Sequence, residues 1–436
     1  MTAVDVRRPM VENSPPVASN PMDAPRRVLF LTQIVPYPPD AGPRVKTWYV
    51  LRYLYERGHR VTLATFVRPE ERPHLPILAD LCERVLPVPL RRSRLSDARD
   101  ALRSLVSGRP FLVQRDDKAE MRALVREELA SGRFDVVHAD QLTMAQFALP
   151  EETNGNAFRV FDAHNATWTI LRRSLDSVPP LARPLLAAEA ARVRAFEGHV
   201  VRTFDHTLAV TSIDREALLH AAGDAAEGMP GRQGRVSVMP IAVDSDEYPK
   251  LDLAPEGEAI LTLGTLHYAP NADGIRWFLR RVLPLVRQAV PGAQLTIVGR
   301  NPPADFRELA ARMPGAIHLT GYVPDVTPYF AQAAVIVVPV LAGSGMRVRI
   351  LEALARGRPL VTTSVGLEGI DAHDGEEVLV ADEPEAFAAA LIRLLRDRGL
   401  QQRLADRGRN LVEARYDWRT ALRPLDRVYA AAGGRR

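Results

Sequence analysis

Cysteine is almost absent: the 436 residues contain one, Cys82. That excludes an intramolecular disulfide and any zinc site built from cysteine thiolates, and it fits a reducing, cytoplasmic compartment. Long hydrophobic runs are missing as well. No segment approaches the roughly 20 apolar residues of a membrane-spanning helix, and the amino terminus lacks the apolar centre of a secretory signal. A large charge imbalance is also absent, since 57 Lys and Arg against 53 Asp and Glu leave only +4. Nothing in that balance calls for a nucleic-acid partner.

What is present is an ordinary globular composition on a chain too long for one core, so two domains are expected. Short apolar, β-branched runs alternate with helical patterns almost from end to end, which predicts parallel sheets assembled from βαβ units. The first series includes RVLFLT, RVTLATFV, ERVLPVPL, FDVVHAD, RVFDAHN, HTLAVTS and RVSVMPIAV; the second includes AILTLGT, AQLTIVGR, IHLTGYV, AVIVVPV, PLVTTSVG and EVLVAD. Their unbroken apolar character suits strands covered on both faces. The expected division is a disordered leader over 1–25, an α/β domain over 26–245, a polar linker over 246–258, a second α/β domain over 259–415, and a helix over 416–436 returning toward the first domain. Two doubly wound sheets facing a cleft bind ligands beyond the carboxyl ends of their strands.

The loops at those ends are therefore the candidates. After the first strand, Gly42 and Pro43 open a helix whose first turn carries Arg44 and Lys46. Cations at a helix amino terminus are unfavourable alone, which suggests an anion nearby; two ordinary surface cations are the plain alternative. RVFDAHN ends in Asp162, His164 and Asn165, giving a substrate-contacting His164, with capping of the next helix by Asn165 as the rival role. In the second series Gly264, Thr265, Gly299, Gly321 and Tyr322 stand at strand ends. LAGSGMRVRILEALARG brings Gly343, Ser344 and Gly345 to a helix with Arg347 in its first turn, an arrangement suited to a phosphate. Glu352, deep in that helix, needs partners: ribose hydroxyls, backbone amides or an arginine would each serve.

Taken together these segments resemble the retaining glycosyltransferases with two Rossmann-like domains (the GT-B fold), family four in particular. GSGMRVRILEALARGRPLVTTSVGLEGI is similar to that family's signature of two glutamates separated by seven residues. GYVPD and DVVHAD resemble its recurring phrases, and LGTLHYAPNADGIRWF resembles a bacterial branch tied to polysaccharide and glycoconjugate pathways. The resemblance implies a nucleotide diphosphate sugar as donor substrate and no further cofactor or metal. It also implies a glycan, glycolipid or other glycoconjugate as acceptor.

By the same resemblance Glu352 contacts the donor ribose, Gly343 to Gly345 face the sugar and diphosphate, Tyr322 and Val323 flank the nucleobase, and Gly42 approaches the donor phosphates. His164 falls near a sugar-contacting histidine. Two departures stand out. Ser344 occupies the position of the first signature glutamate, and the loop after AILTLG lacks the usual Arg and Lys pair; His267, Asn271, Arg347, Arg349 and, from across the cleft, Lys46 are the available substitutes. A sugar-nucleotide epimerase on the same scaffold and a catalytically impaired, transferase-like binding protein are the alternatives. A dinucleotide oxidoreductase is disfavoured, because no first βα loop carries the tight glycine pattern with an acidic partner.

Two further features have plain readings. Asp244-Ser245-Asp246 matches a metal-binding pattern of a different transferase fold but sits where a strand runs into the linker. Arg91, Arg92, Arg94, Arg99 and Arg103 lie in or beside the amphipathic segment LSDARDALRSLVSG. That segment is either a solvated face or a patch for a membrane surface or anionic substrate, the latter placing the protein peripherally at the inner membrane surface.

Overall fold

The computed structural model describes residues 24–40, 42–153, 155–223, 233–254, 257–343 and 345–435. All of the expected leader except Ala24 and Pro25 lies outside the described residues, and so does Ser344.

The apolar runs form two parallel sheets. The first contains β1 (Arg27–Thr32), β2 (Arg60–Val67), β3 (Arg84–Pro89), β4 (Val136–Asp140), β5 (Phe158–Ala163), β6 (His206–Ala209) and β7 (Val236–Val238), in the order β3-β2-β1-β4-β5-β6-β7. The second contains β8 (Ala259–Leu263), β9 (Gln294–Val298), β10 (Ile317–Gly321), β11 (Val335–Val338), β12 (Leu360–Thr362) and β13 (Leu379–Val380), ordered β10-β9-β8-β11-β12-β13. Residues alternate between faces along each strand, and both faces are buried. Val28 and Phe30 enter one core while Leu29 and Leu31 enter another; this is why the runs show no polar alternation.

In each sheet the chain reverses its direction of travel beside the first strand, between β1 and β4 and between β8 and β11. Helices leave opposite faces at these points, so the strand ends there open into a crevice. One core runs continuously from Val28 of β1 and Trp48 of the helix Gly42–Glu56 through Trp418 and Tyr429 to Ile350 and Leu351 of the helix Val348–Ala355. The carboxyl-terminal helix Pro424–Ala431 thereby packs on the first sheet, where Tyr53 donates a 2.8 Å hydrogen bond to Asp426. Asp244 and Asp246 are both engaged by arginines, Asp244 by Arg52 at 2.7 Å and Asp246 by Arg419 at 2.9 Å.

Candidate active site

At the carboxyl ends of β1, β4 and β5 a buried polar network surrounds His164. Its Nε2–H donates to Asp140 Oδ1 at 2.6 Å, and the other oxygen of Asp140 accepts from the hydroxyls of Thr32 (2.8 Å) and Thr47 (2.9 Å). Asp162, fully buried two residues before His164, pairs with the Lys46 ammonium and accepts from His138 Nε2 at 3.4 Å. Tyr429 then donates to His138 Nδ1 at 3.0 Å, tying the carboxyl-terminal helix into the network. Burial by itself would push the Asp162 carboxyl up, but Lys46, His138 and His164 outweigh it and hold the group below its ordinary value.

This network corrects three expectations. Lys46 does not reach across the cleft; the anion it answers is Asp162 of its own domain. Arg44 is likewise held within its domain, by Asp40 at 3.0 Å and Glu71 at 2.9 Å. Asn165 does not cap the following helix, Thr167–Arg173, but accepts from the Thr167 hydroxyl at 3.1 Å. Two remote carboxylates do the capping: Asp214 accepts the Ala166 N–H at 2.9 Å, and Glu197 accepts those of Thr167 and Trp168 at 2.7 and 3.0 Å. Asp140, Asp162 and His164 are close enough to share a metal ion. Lys46 already supplies the positive charge that a cation would bring.

The facing side is formed by the segment after β11. Gly343 (φ +128°) and Gly345 (φ +80°) adopt backbone conformations that favour glycine, and the chain then enters the helix Val348–Ala355. Arg347 precedes that helix as its amino-terminal cap residue, rather than lying in the first turn, and its guanidinium turns back onto the Gly345 carbonyl. Gly42 belongs here too: a Cβ on it would lie 3.9 Å from Val348 Cγ2, so the first domain's glycine turn abuts this helix. Arg173, at the end of the helix following His164, also crosses the cleft and donates to the Gly343 carbonyl at 3.1 Å.

Arg349, Glu352 and Arg356 follow one another at helical spacing along one side, while Ile350, Leu351, Ala353 and Leu354 enter the core. Arg349 donates to Asn271 Oδ1 at 3.0 Å and has no carboxylate partner among the described residues; its Nε is buried without a hydrogen bond. Burial and then the neighbouring Arg347 lower its pKa to about 10. Such a guanidinium is short of negative charge. Glu352 is mostly buried, with Arg356 Nε 3.4 Å away as its one ion pair among the described residues. Burial raises its pKa, and Arg356 opposes that only in part. Of the partners Glu352 was expected to need, the fold supplies the arginine.

The glycines at the ends of β8 and β9 serve close packing rather than phosphate binding. The Gly264 N–H donates to the Val298 carbonyl and that of Gly299 to the Gly321 carbonyl, both at 3.0 Å, so neither is available to a phosphate. A Cβ on Gly299 would fall 2.2 Å from the Gly264 carbonyl oxygen, and one on Gly264 would fall 3.1 Å from Arg349 Nη1. The Thr265 carbonyl accepts from Tyr268 N and Asn271 Nδ2, which shapes the turn beside Arg349. Tyr322 is 61 % exposed beneath the Arg300 guanidinium, 3.8 Å from its ring centre, whereas Val323 is half-buried against the core.

Sequence reasoning missed Asp140, the capping carboxylates and Arg173. Asp140 did carry a signal, as a carboxylate ending a buried apolar strand; the others did not. A basin of about 990 Å³ bordered by Arg26, Arg60 and Arg133 lies at the opposite, amino-terminal end of the first sheet, away from this chemistry.

Comparison with known proteins agrees with the geometry. Residues 257–397, which carry Arg349 and Glu352, match the family model described as glycosyl transferases group 1. The phosphatidyl-myo-inositol mannosyltransferase of Mycobacterium leprae is 30% identical over 314 residues, 70% of this chain and 75% of that protein. Its namesake from Mycolicibacterium smegmatis is 27% identical over 315 residues, 71% of this chain and 74% of its own length. Among solved structures, Anabaena HepE in complex with UDP and glucose superposes with a TM-score of 0.63 at 13% identity, covering 93% of this chain and all of that one. The chain belongs to the group 1 glycosyl transferases, retaining enzymes of the two-sheet GT-B fold that draw their sugar from a nucleotide-sugar donor.

Proposed function

We propose that the protein transfers a sugar from a nucleoside diphosphate sugar to a hydroxyl of a glycan, glycolipid or other glycoconjugate, working in the cytoplasm and peripherally at the inner membrane surface. The observation that carries this reading is Arg349, beside Arg347: the Arg349 side chain is half-buried, and it has no carboxylate partner among the described residues. A diphosphate supplies the missing charge, and the amino-terminal end of the helix Val348–Ala355 adds its dipole to the same spot. Glu352 accepts from the ribose hydroxyls. Tyr322, with Arg300 and Val323, flanks the nucleobase. His164, oriented by Asp140, and Asn165 contact the sugar. Residues 26–245 form the acceptor side, 246–258 the linker and 259–415 the donor side, with 416–436 packed back on the acceptor side.

In the reaction the bond from the anomeric carbon to the diphosphate oxygen breaks and a bond to the acceptor oxygen forms on the same face. The acceptor's proton leaves with the diphosphate. Guanidinium groups fixed beforehand around the leaving group stabilise its growing charge, and no nucleophilic side chain is needed. Two measurements test this reading. Nucleotide-sugars should raise the unfolding temperature, since a ligand of the native state stabilises it. Release of nucleoside diphosphate should then depend on an added acceptor. A protein indifferent to a full panel of nucleotide-sugars would overturn it.

A further inference from the structure

The helix Arg94–Ser107 is built inside out. Its protein-facing side carries the buried Asp100 and Ser104 and the half-buried Asp97, while Leu95, Leu102, Leu105 and Val106 face solvent, Leu95 being 85 % and Val106 83 % exposed. At about 100° per residue these four and Ala98 fall in one stripe about 100° wide, the width of an ordinary core-facing surface. No acidic side chain lies on it. Arg99 and Arg103 border the stripe, reaching Asp100 at 3.4 and 4.0 Å while staying largely exposed. Arg91 and Arg94 stand exposed just before it and make no ion pair among the described residues. Just past the helix, Phe111 N–H donates to Glu189 at 2.6 Å, which brings it against the helix Arg183–Thr203, where Leu185 is also exposed.

We propose that this face docks on an anionic phospholipid bilayer, with the leucines entering the acyl boundary and the arginines remaining among the headgroup phosphates. A convex helix with apolar residues along its crest and cations on its flanks matches the charge and layering of that surface. Its position is apt. Arg92 donates to Asp116 at 2.5 Å, and Asp116 also accepts from Gln33, the residue after Thr32, whose hydroxyl holds Asp140. The docked face therefore adjoins the end of β1, on the acceptor side of the cleft. The proposal rests on the peripheral location given above but not on the donor assignment.

Co-sedimentation of the full-length protein with vesicles tests it. Binding is expected to phosphatidylcholine vesicles containing phosphatidylglycerol, and to weaken with salt, but not to phosphatidylcholine alone. Arg99→Gln with Arg103→Gln should weaken it about 25-fold, roughly fivefold per charge. Leu102→Ser with Val106→Ser should weaken it at least tenfold at any salt concentration. Because these side chains are exposed, unfolding temperature and nucleotide affinity should not change, so a failed donor assignment would show separately. Absent vesicle binding, equal binding to both vesicle types, or wild-type binding by both variants would each overturn the proposal. Dissociation of a dimer by the leucine variant, without wild-type vesicle binding, would make the face a self-association surface instead.

Discussion

Arg173 grips Glu368 across the cleft through two hydrogen bonds, each 2.8 Å, and gives a third to the Gly343 carbonyl. The hydrogen bonds that Arg173 donates to Glu368 raise the Arg173 pKa. The arginine ends the helix that starts just beyond His164, so this fork links the sugar-side histidine to the segment facing the donor. Arg173 is 45 % exposed, and solvent reduces the pair to about 1 kcal/mol despite its bidentate geometry. Glu368→Gln should therefore raise the donor KM about fivefold while moving the unfolding temperature little. Adding Arg173→Gln should cost less than the two single effects combined, as expected for residues in contact. Steady-state kinetics on the three variants would check this, and additive effects would remove the coupling.

Arg349 should show effects of opposite sign on binding and stability. Its side chain is half-buried, with an unsatisfied, buried Nε, and lies near Arg347. Arg349→Met replaces it with an apolar chain of similar length, relieving that desolvation. The ligand-free protein should become more stable, by about 1 kcal/mol. Loss of a charge-assisted hydrogen bond to phosphate should at the same time weaken nucleoside diphosphate binding by about 10- to 100-fold. Calorimetric titration and thermal unfolding of the same preparation would read both. A variant that binds normally would exclude Arg349 from the donor site.

Strands, unlike site contacts, were legible because their information is local. Continuous β-branched runs at β1 or β11 announce burial on both faces without reference to the rest of the chain. Gly343 to Arg347 also showed locally, as a glycine turn meeting a helix. The partners of the site residues did not, because they come from far along the chain: Lys46 meets Asp162 and Arg173 meets Glu368 only after the sheets assemble. Nothing near Lys46 distinguishes a buried cation from a surface one. In the helix Arg94–Ser107 periodicity revealed two faces, but convention would have turned the leucines inward.

Asp140 is a positioning residue for His164. In Asp140→Asn the amide oxygen can still accept from His164 Nε2. The amide nitrogen can donate to the Thr32 and Thr47 hydroxyls, which retain the Ile34 and Pro43 carbonyls as their own acceptors. The variant should fold, while losing the charge that fixes the imidazole. The expected outcome is a kcat lowered about 10- to 100-fold with nucleoside diphosphate affinity unchanged, because His164 lies on the sugar side. His164→Ala in the Asp140→Asn background should add little. A full additive loss would mean that Asp140 acts independently of the histidine.

Glu197 should make stability depend on pH. Its carboxylate is fully buried where the helix Thr167–Arg173 begins, and burial raises its pKa to about 7, although the N–H groups of Trp168 and Thr167 favour the charged form. In the unfolded chain the group returns to its ordinary value of 4.5. Between these values the folded protein holds a proton that the unfolded chain has released, so stability falls as pH rises through this window. The contribution is intact below the lower value and lost above the upper one, a change of about 3 kcal/mol. Glu197→Gln cannot titrate, yet its carbonyl can accept one of the two N–H groups. Urea unfolding of both proteins at pH 5 and pH 8 should show the wild type losing about 2.5 kcal/mol more than the variant, since pH 5 already lies inside the window. Other titrating groups, such as the half-buried His206, are common to both and cancel in that difference. Parallel pH profiles would mean that Glu197 folds already ionised, with the two N–H groups outweighing its burial.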